Sequence, residues 1–395
     1  MLCTVPAFAV YIFYTEVRML IETVCRKFRI EGEYKGCETL KNGNINHTYK
    51  VEFLRDGVRK FYILQRINTY VFSNPENIMS NVSRITQYMR HRMMAEGKDP
   101  SRKVLHFLHT ENGDYCFTDE ADGVWRGYRY IDNSTTFNVP DSDDLVYYTG
   151  VEFGSFQTAL ADFDASTLYE TIPDFHNTKK RLFNFFAHVG LDPYNRVSSV
   201  AEEIDFIRQH YALASQLTDM VEEGKLPLRV VHNDTKCNNI LFDQDTHEPL
   251  AVIDLDTVMP GLVAHDFGDA VRSCASTCTE DEVDLSKVHF DLHKFELFTK
   301  GFLEKTARCL TEEEIKTLAL GAVTITVELA SRFLDDYVTG DKYFKIKYET
   351  HNLDRARCQI ALAKDMLRKF SEMNAIVSSN ASVLPQPGSD TEPVT

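Results

Sequence analysis

The chain has 395 residues, a hydrophobic fraction of 43% and a net charge of −16. That length exceeds one ordinary core and calls for two packed units, while the composition is globular and soluble rather than fibrous or disordered. A surface this acidic repels nucleic acid and anionic membranes, which excludes both as partners.

Nine cysteines are scattered without a C-x-x-C pair, so neither a zinc ribbon nor a disulfide framework is indicated, and free thiols in a reducing cytoplasm are expected. At the N-terminus the apolar run from Val5 to Tyr14 is shorter than the ~20 residues of a membrane helix. It lacks the preceding basic charge of an export signal, and Met19 opens an ordinary protein start. Residues 1–18 are read as an extension outside the folded protein.

In chain order, Asn46 to Leu54 and Phe61 to Leu64 read as strands around the turn Arg55-Asp56-Gly57. Asn74-Pro75-Glu76 starts a helix that carries Ile78 to Met94 at helical spacing. Strands follow at Val104 to His109, Tyr115 to Thr118 and Val124 to Ile131, so residues 19–131 form a β-rich lobe. Residues 132–374 are mainly helical: Asp144 to Ala161, Thr178 to Phe186, Val200 to Glu222, Leu292 to Lys305 and Glu312 to Tyr337. One insert interrupts them, a strand at Leu228 to Val231, a loop, and a hairpin from Ile240 to Asp254. Residues 375–395 are Ser-, Pro- and Asn-rich and read as a disordered tail.

Catalytic residues favour such a loop. It reads Val231-His232-Asn233-Asp234-Thr235-Lys236-Cys237-Asn238-Asn239-Ile240, and Val252-Ile253-Asp254-Leu255-Asp256 follows the hairpin turn. Phosphoryl transfer needs a base to orient the hydroxyl, ligands for Mg²⁺ and positive charge near the phosphates. His-x-Asp with Asn five residues later is the kinase catalytic-loop pattern. Asp234 is then the base, Lys236 a catalytic cation, and Asn239 with Asp254 the Mg²⁺ ligands. Hard oxygen donors of this kind suit Mg²⁺. A row of Asp, Asn and Thr is otherwise only a polar turn; the combined spacing is what makes the pattern specific.

The segment resembles the aminoglycoside phosphotransferase and choline kinase superfamily. That resemblance implies an α+β, two-lobed protein-kinase-like fold, with an antiparallel sheet lobe, a helical lobe, and ATP and Mg²⁺ in the cleft. It also implies a structural role for Asp266, 12 residues after Asp254, in holding the catalytic loop. Asp266-Phe267-Gly268 spells a protein-kinase motif, but it lies too far from Asp234 and is a coincidence of letters.

The nearer resemblance is to the bacterial N-acetylhexosamine 1-kinases, over about residues 19–372. It rests on Gly43-Asn44-Ile45-Asn46-His47-Thr48-Tyr49, on Tyr62 to Asn68, on Ile172 to His176, and on His232 to Asn239 with Asp254 to Gly261. It also rests on Glu328 through Arg332 to Phe344, and on His351 to Arg355. The branch implies transfer of the ATP γ-phosphate to the anomeric hydroxyl of a hexosamine by a cytoplasmic monomer or weak homodimer, with Arg332, Tyr343 and the catalytic Asp234 contacting the sugar. By itself, Arg332 would be read as an i, i+4 ion pair with Glu328. The glycine turn has Asn44 where the branch often has His, which leaves the sugar preference open. Gly43, Asn46 and Thr48 belong to the expected phosphate-covering loop. Gln65 and Arg66 stand where protein kinases carry a strand lysine, and alternation puts them on opposite faces. Trp125 to Ile131 is the candidate hinge. The rivals are another acceptor (an aminoglycoside, homoserine, choline or another sugar) or a nucleotide-binding pseudokinase.

Overall fold

The structure, a computed structural model, describes residues 18–40 and 45–382. Gly43, Asn44, nearly all of the N-terminal extension and residues 383–395 lie outside the described residues. The chain divides into two compact units between Ser134 and Thr135.

The first unit opens with helix α1 (residues 18–25) and a five-stranded antiparallel sheet in the order β1-β2-β3-β5-β4. The strands are β1 (Glu33–Leu40), β2 (His47–Arg55), β3 (Val58–Arg66), β4 (Phe117–Thr118) and β5 (Val124–Arg129). Asp56 and Gly57 join β2 to β3 with φ of 51° and 77°, the two positive values that a tight two-residue hairpin turn requires. One sheet face, with Val51, Phe53, Leu64 and Trp125, packs on Ile21, Val24, Cys25 and Phe28. Helix α2 (Pro75–Ala95) starts where Asn74 Oδ1 accepts the Asn77 N–H at 3.3 Å. It approaches the other face, where Met79 Sδ lies 3.8 Å from Arg126.

Expected strand 104–109 is reduced to a bridge, Phe107 to Tyr128, and single backbone bonds to Gly127 and Arg129. A two-residue strand, β6 (Ser134–Thr135), falls at the division.

The second unit is built on α3 (Asp143–Ala159), α4 (Thr178–Leu191), α5 (Ala201–Gln209) and α6 (Tyr211–Glu222). The short strands β7 (Arg229–Val231), β8 (Ile240–Asp243), β9 (Pro249–Val252) and β10 (Met259–Gly261) follow. Helices α7 (Val263–Cys274), α8 (Leu292–Thr306), α9 (Glu312–Lys316), α10 (Leu318–Val338), α11 (His351–Arg368) and α12 (Phe370–Ser382) complete it. Two expected helices are each broken once. His210 turns its ring onto Phe206 O at 2.8 Å between α5 and α6, and Thr317 bonds back to Glu313 and Glu314 carbonyls between α9 and α10; such local bonds compete with the helical ladder. The tail expected to lose order at residue 375 continues as α12 to Ser382, because Met373 and Val377, four apart, are both buried.

Phe267 of the Asp-Phe-Gly letters is a core residue in the middle of α7, with ring centroids 5.8, 5.4 and 5.4 Å from Phe295, Phe298 and Phe302. Helices α7 and α10 meet backbone to backbone: a Cβ on Gly268 would lie 2.4 Å from Gly321 O, and one on Gly321 would lie 2.0 Å from Ala264 O.

Candidate active site

Strand β7 pairs with β10, Met259 opposite Val231, and its end delivers the loop 232–239. His232 is fully buried between Phe153 and Phe156, with ring centroids 5.8 and 6.0 Å away. Its Nε2 meets Ile253 O at 2.9 Å and its Nδ1 meets the Asp234 N–H at 3.2 Å. A carbonyl only accepts and an amide only donates, so the hydrogen sits on Nε2. Asn233 and Asp254 adopt left-handed backbone, with φ of 64° and 58°. Asn and Asp tolerate that region better than other side chains, and such strain gathers at functional sites.

Helix α7 holds the loop by its backbone. The Asp266 carboxylate accepts the N–H groups of His232 and Asn233, each at 2.7 Å, and Gln157 Nε2 at 2.9 Å. One turn on, Asp269 accepts the Thr235 N–H at 3.0 Å and is paired with the buried Arg272 at 2.8 Å. Thr235 Oγ1 donates to Asp266 O at 2.6 Å. From the β10 side, Asn233 Nδ2 donates to Thr257 O and Thr257 Oγ1 to His232 O. With these partners the loop has little freedom to move.

Asp234 is thereby fixed with one oxygen 2.8 Å from Lys236 Nζ and the other 2.8 Å from Asn239 Nδ2. Burial alone would raise its carboxyl, but the Lys236 ammonium, together with His232 and the Asn239 hydrogen bond, holds it below the usual range. Asp234 in turn raises Lys236. Each carboxylate oxygen keeps a second lone pair, so a substrate hydroxyl can still be accepted. Asn239 spends its NH₂ on Asp234, which leaves its amide oxygen for a cation. Asp254 lies one residue beyond Ile253, whose N–H donates to Asn239 O at 2.9 Å, so Asp254 and Asn239 emerge from adjacent chain. Among the described residues no three His, Cys, Asp or Glu side chains converge as a metal site. An amide oxygen and one or two carboxylates are instead the partial oxygen set that Mg²⁺ accepts when phosphate oxygens and waters complete its shell.

Arg332 on α10 does not pair with Glu328. Its guanidinium lies 5.5, 6.0 and 5.6 Å from the ring centroids of Phe175, Tyr343 and Phe344. The exposed Tyr343 is positioned through its backbone: Asp336 accepts the N–H groups of Lys342, Tyr343 and Phe344, each at 2.8 Å, and Asn352 Nδ2 at 2.9 Å. Glu328 is taken by His176 Nδ1 at 2.8 Å, Thr178 Oγ1 at 2.5 Å and Arg181 at 3.6 Å. Burial would raise this carboxyl, yet His176 foremost, with the charges of Arg181 and Arg332, brings it down to about 2. His176 and His265 stand with ring centroids 5.4 Å apart, on a pocket of about 200 Å³ that Asn233 also lines. Burial takes His265 down to about 3.

In the sheet unit, Thr48, Gln65 and Arg126 are in cross-strand register. Gln65 Nε2 donates to Thr48 Oγ1 at 3.1 Å, and Arg126 Nε donates to Gln65 Oε1 at 2.9 Å. Arg126 is only 2% exposed and was not singled out from sequence, because only the register of β3 with β5 brings it to Gln65. Arg66 is in register with Trp125 and borders Gly123 and Asp119, on the α1 face. Asn46 Oδ1 accepts the Asn68 N–H at 2.9 Å.

The sequence profile of the phosphotransferase enzyme family matches residues 36–296. The chain belongs to that family. It is an ATP-dependent phosphotransferase with a hydroxyl acceptor, in the fold of the aminoglycoside phosphotransferases and choline kinases. Among solved structures it is similar to a microcompartment-associated aminopropanol kinase, at 16% identity and TM-score 0.59, covering 90% of this chain and 98% of that one. It is also similar to an aminoglycoside phosphotransferase from Alicyclobacillus acidocaldarius, at 13% identity and TM-score 0.58, covering 92% and 96%. A choline/ethanolamine kinase family protein from Mesorhizobium loti matches at 16% identity and TM-score 0.54, covering 91% and 99%. These likenesses concern the shared fold; they leave the acceptor of this phosphotransferase to be argued from its own residues.

Proposed function

We propose that this phosphotransferase is a hexosamine 1-kinase, which transfers the ATP γ-phosphate to the anomeric hydroxyl of an N-acetylhexosamine. Asp234 orients that hydroxyl and takes its proton as the new bond to phosphorus forms. Lys236 keeps Asp234 ionised and offsets charge on the transferring group. Asn239 and Asp254 are the residues that would hold Mg²⁺, which when bound supplies charge neutralisation on the phosphates. Gln65, with Thr48, marks the nucleotide-side face of the sheet in this reading, and Arg66 serves the α1 face.

The observation that carries the acceptor assignment is the setting of Arg332. Aromatic faces that cluster around a quaternary ammonium are the usual recognition device for choline-like ligands. Here Phe175, Tyr343 and Phe344 already surround the chain's own guanidinium, and Arg181, lowered first by its own burial, is lowered further by the Arg332 charge. A cationic amino alcohol or aminoglycoside would meet like charge, whereas a neutral sugar finds a guanidinium with donors to spare.

A panel of N-acetylglucosamine, N-acetylgalactosamine, glucose, homoserine, choline and an aminoglycoside with Mg-ATP tests it, with phosphorylated product as the readout. Phosphorylation of choline or the aminoglycoside alone would falsify the acceptor assignment and leave the kinase standing; Mg-ATP binding with no turnover on any acceptor marks a pseudokinase. Arg332→Met is expected to raise the sugar KM about tenfold or more, the value of a hydrogen bond to a charged group, with the ATP KM unchanged.

A further inference from the structure

In the sheet unit, far along α2 from its contact with Arg126, a cavity of about 360 Å³ opens between the helix and residues 105–115. Its polar lining includes Arg90, His91, His106, His109, Gln87 and Tyr115, and no carboxylate. In a chain of net charge −16, a cavity whose wall carries an arginine and three histidines and no carboxylate needs a reason. The Arg90 guanidinium is partly buried and among the described residues meets only backbone carbonyls, Pro100 O at 3.5 Å and Val104 O at 3.4 Å. Among the described residues Asp99 is the carboxylate that acts on it, and it is held by the N–H and hydroxyl of Ser101. Burial and the neighbouring Arg129 both weigh against the charge on Arg90.

His106 supplies a second and separate observation. Its Nδ1 is buried without a hydrogen-bond partner among the described residues, and the charged and titratable groups acting on it are Arg90, Arg129 and His109. A buried charge or polar nitrogen is costly unless something completes it. An anion in the cavity would complete both groups at once. We propose that this cavity is an anion site that takes the phosphate group of a small metabolite, with Arg90 in its wall as the counter-charge, Arg129 adding positive charge from outside the lining, and His106 as a hydrogen-bond partner. Its volume is at the lower end for ligand pockets, which run from ~300 Å³ upward, and that favours a free phosphate or a small phosphate ester over a nucleotide. The occupant would bear on α2, whose other end carries Met79 against Arg126, so the site is placed to influence the Gln65 face of the sheet.

Equilibrium dialysis of the full chain with labelled inorganic phosphate and with glucose 1-phosphate tests the site, with the nucleotide site filled by a non-hydrolysable ATP analogue and neutral glucose as control. At least one phosphate-bearing probe is expected to bind, and glucose not to bind through these arginines; the stronger probe tells free phosphate from an ester. Arg90→Gln should weaken binding about tenfold or more, since charge-assisted bonds are the strong ones, while Arg129→Gln, on an exposed side chain, should cost a few-fold. His106→Gln serves if Arg90→Gln does not fold. Equal binding by wild type and folded variants, or no binding of either probe to wild type, overturns the proposal. The readout is binding and not turnover, so the result stands apart from the kinase reading.

Discussion

The two units hold their polar groups by different means. In the helical unit, the loop 232–239 is pinned through its backbone by carboxylates from one helix, Asp266 and Asp269. In the sheet unit, Thr48, Gln65 and Arg126 form a ladder of side chains across three strands. A charged acceptor that serves several buried N–H groups cannot be removed without leaving all of them unpaired. A ladder of neutral and singly charged side chains loses one bond at a time. The helical unit should therefore fail abruptly and the sheet unit gradually.

The sharpest test is Asp234→Ala. Loss of a general base typically costs about 10²–10⁴-fold, and turnover is expected to fall by about that factor or more while calorimetry shows ATP binding within a few-fold of wild type. Turnover near the wild-type rate would sink the mechanism. Next comes Asp266→Ala, which touches no substrate. It strands two buried N–H groups and Gln157, and should lower stability by about 3 kcal/mol or more in denaturant melts, with activity falling in parallel. An unchanged melt would break the contrast between the units.

A pH series sharpens it further. Glu328 is depressed from 4.5 to about 2 in the folded protein. Its contribution is complete above the unfolded value and is lost as the pH falls from there towards about 2. Wild type should therefore lose stability steeply across that acid window, on the order of a few kcal/mol, and Glu328→Gln should show a flatter limb. The smallest effect is expected from Gln65→Leu, an increase of a few-fold in the ATP KM with the melting temperature lowered by a few degrees. A loss as deep as that of Asp234→Ala would mean the ladder is no less critical than the loop.

The same contrast explains what could be read from the sequence. His232, Asp234, Lys236 and Asn239 fall within eight residues, so their spacing alone gave the pattern, and Asp254 and Asp266 follow on the next short elements. Arg126 lies 61 residues from Gln65, and only strand register joins them. The face of Arg66 needed the same register. The setting of Arg332 was hidden for a related reason: Phe175 lies far away in sequence, and the i, i+4 partner Glu328 is claimed by His176 and Thr178. Helix ends at His210 and Thr317 were lost in runs whose apolar spacing hardly falters. Hydrophobic spacing marks the face of a helix and says little about where a side chain caps it.

The backbone contact of Gly268 with Gly321 sets a fixed gauge between two helices with different duties. Helix α7 carries the carboxylates that seat the loop 232–239, and α10 carries Arg332. With no side chain between them, neither helix can slide to admit a longer or shorter acceptor without carrying the other along. On the proposed reading of the acceptor site, a change of acceptor is then written in the outlying parts, Phe175 and the segment 341–344 that Asp336 suspends. Those are the positions at which a directed search for altered specificity should begin, and the two glycines are the positions it should leave alone.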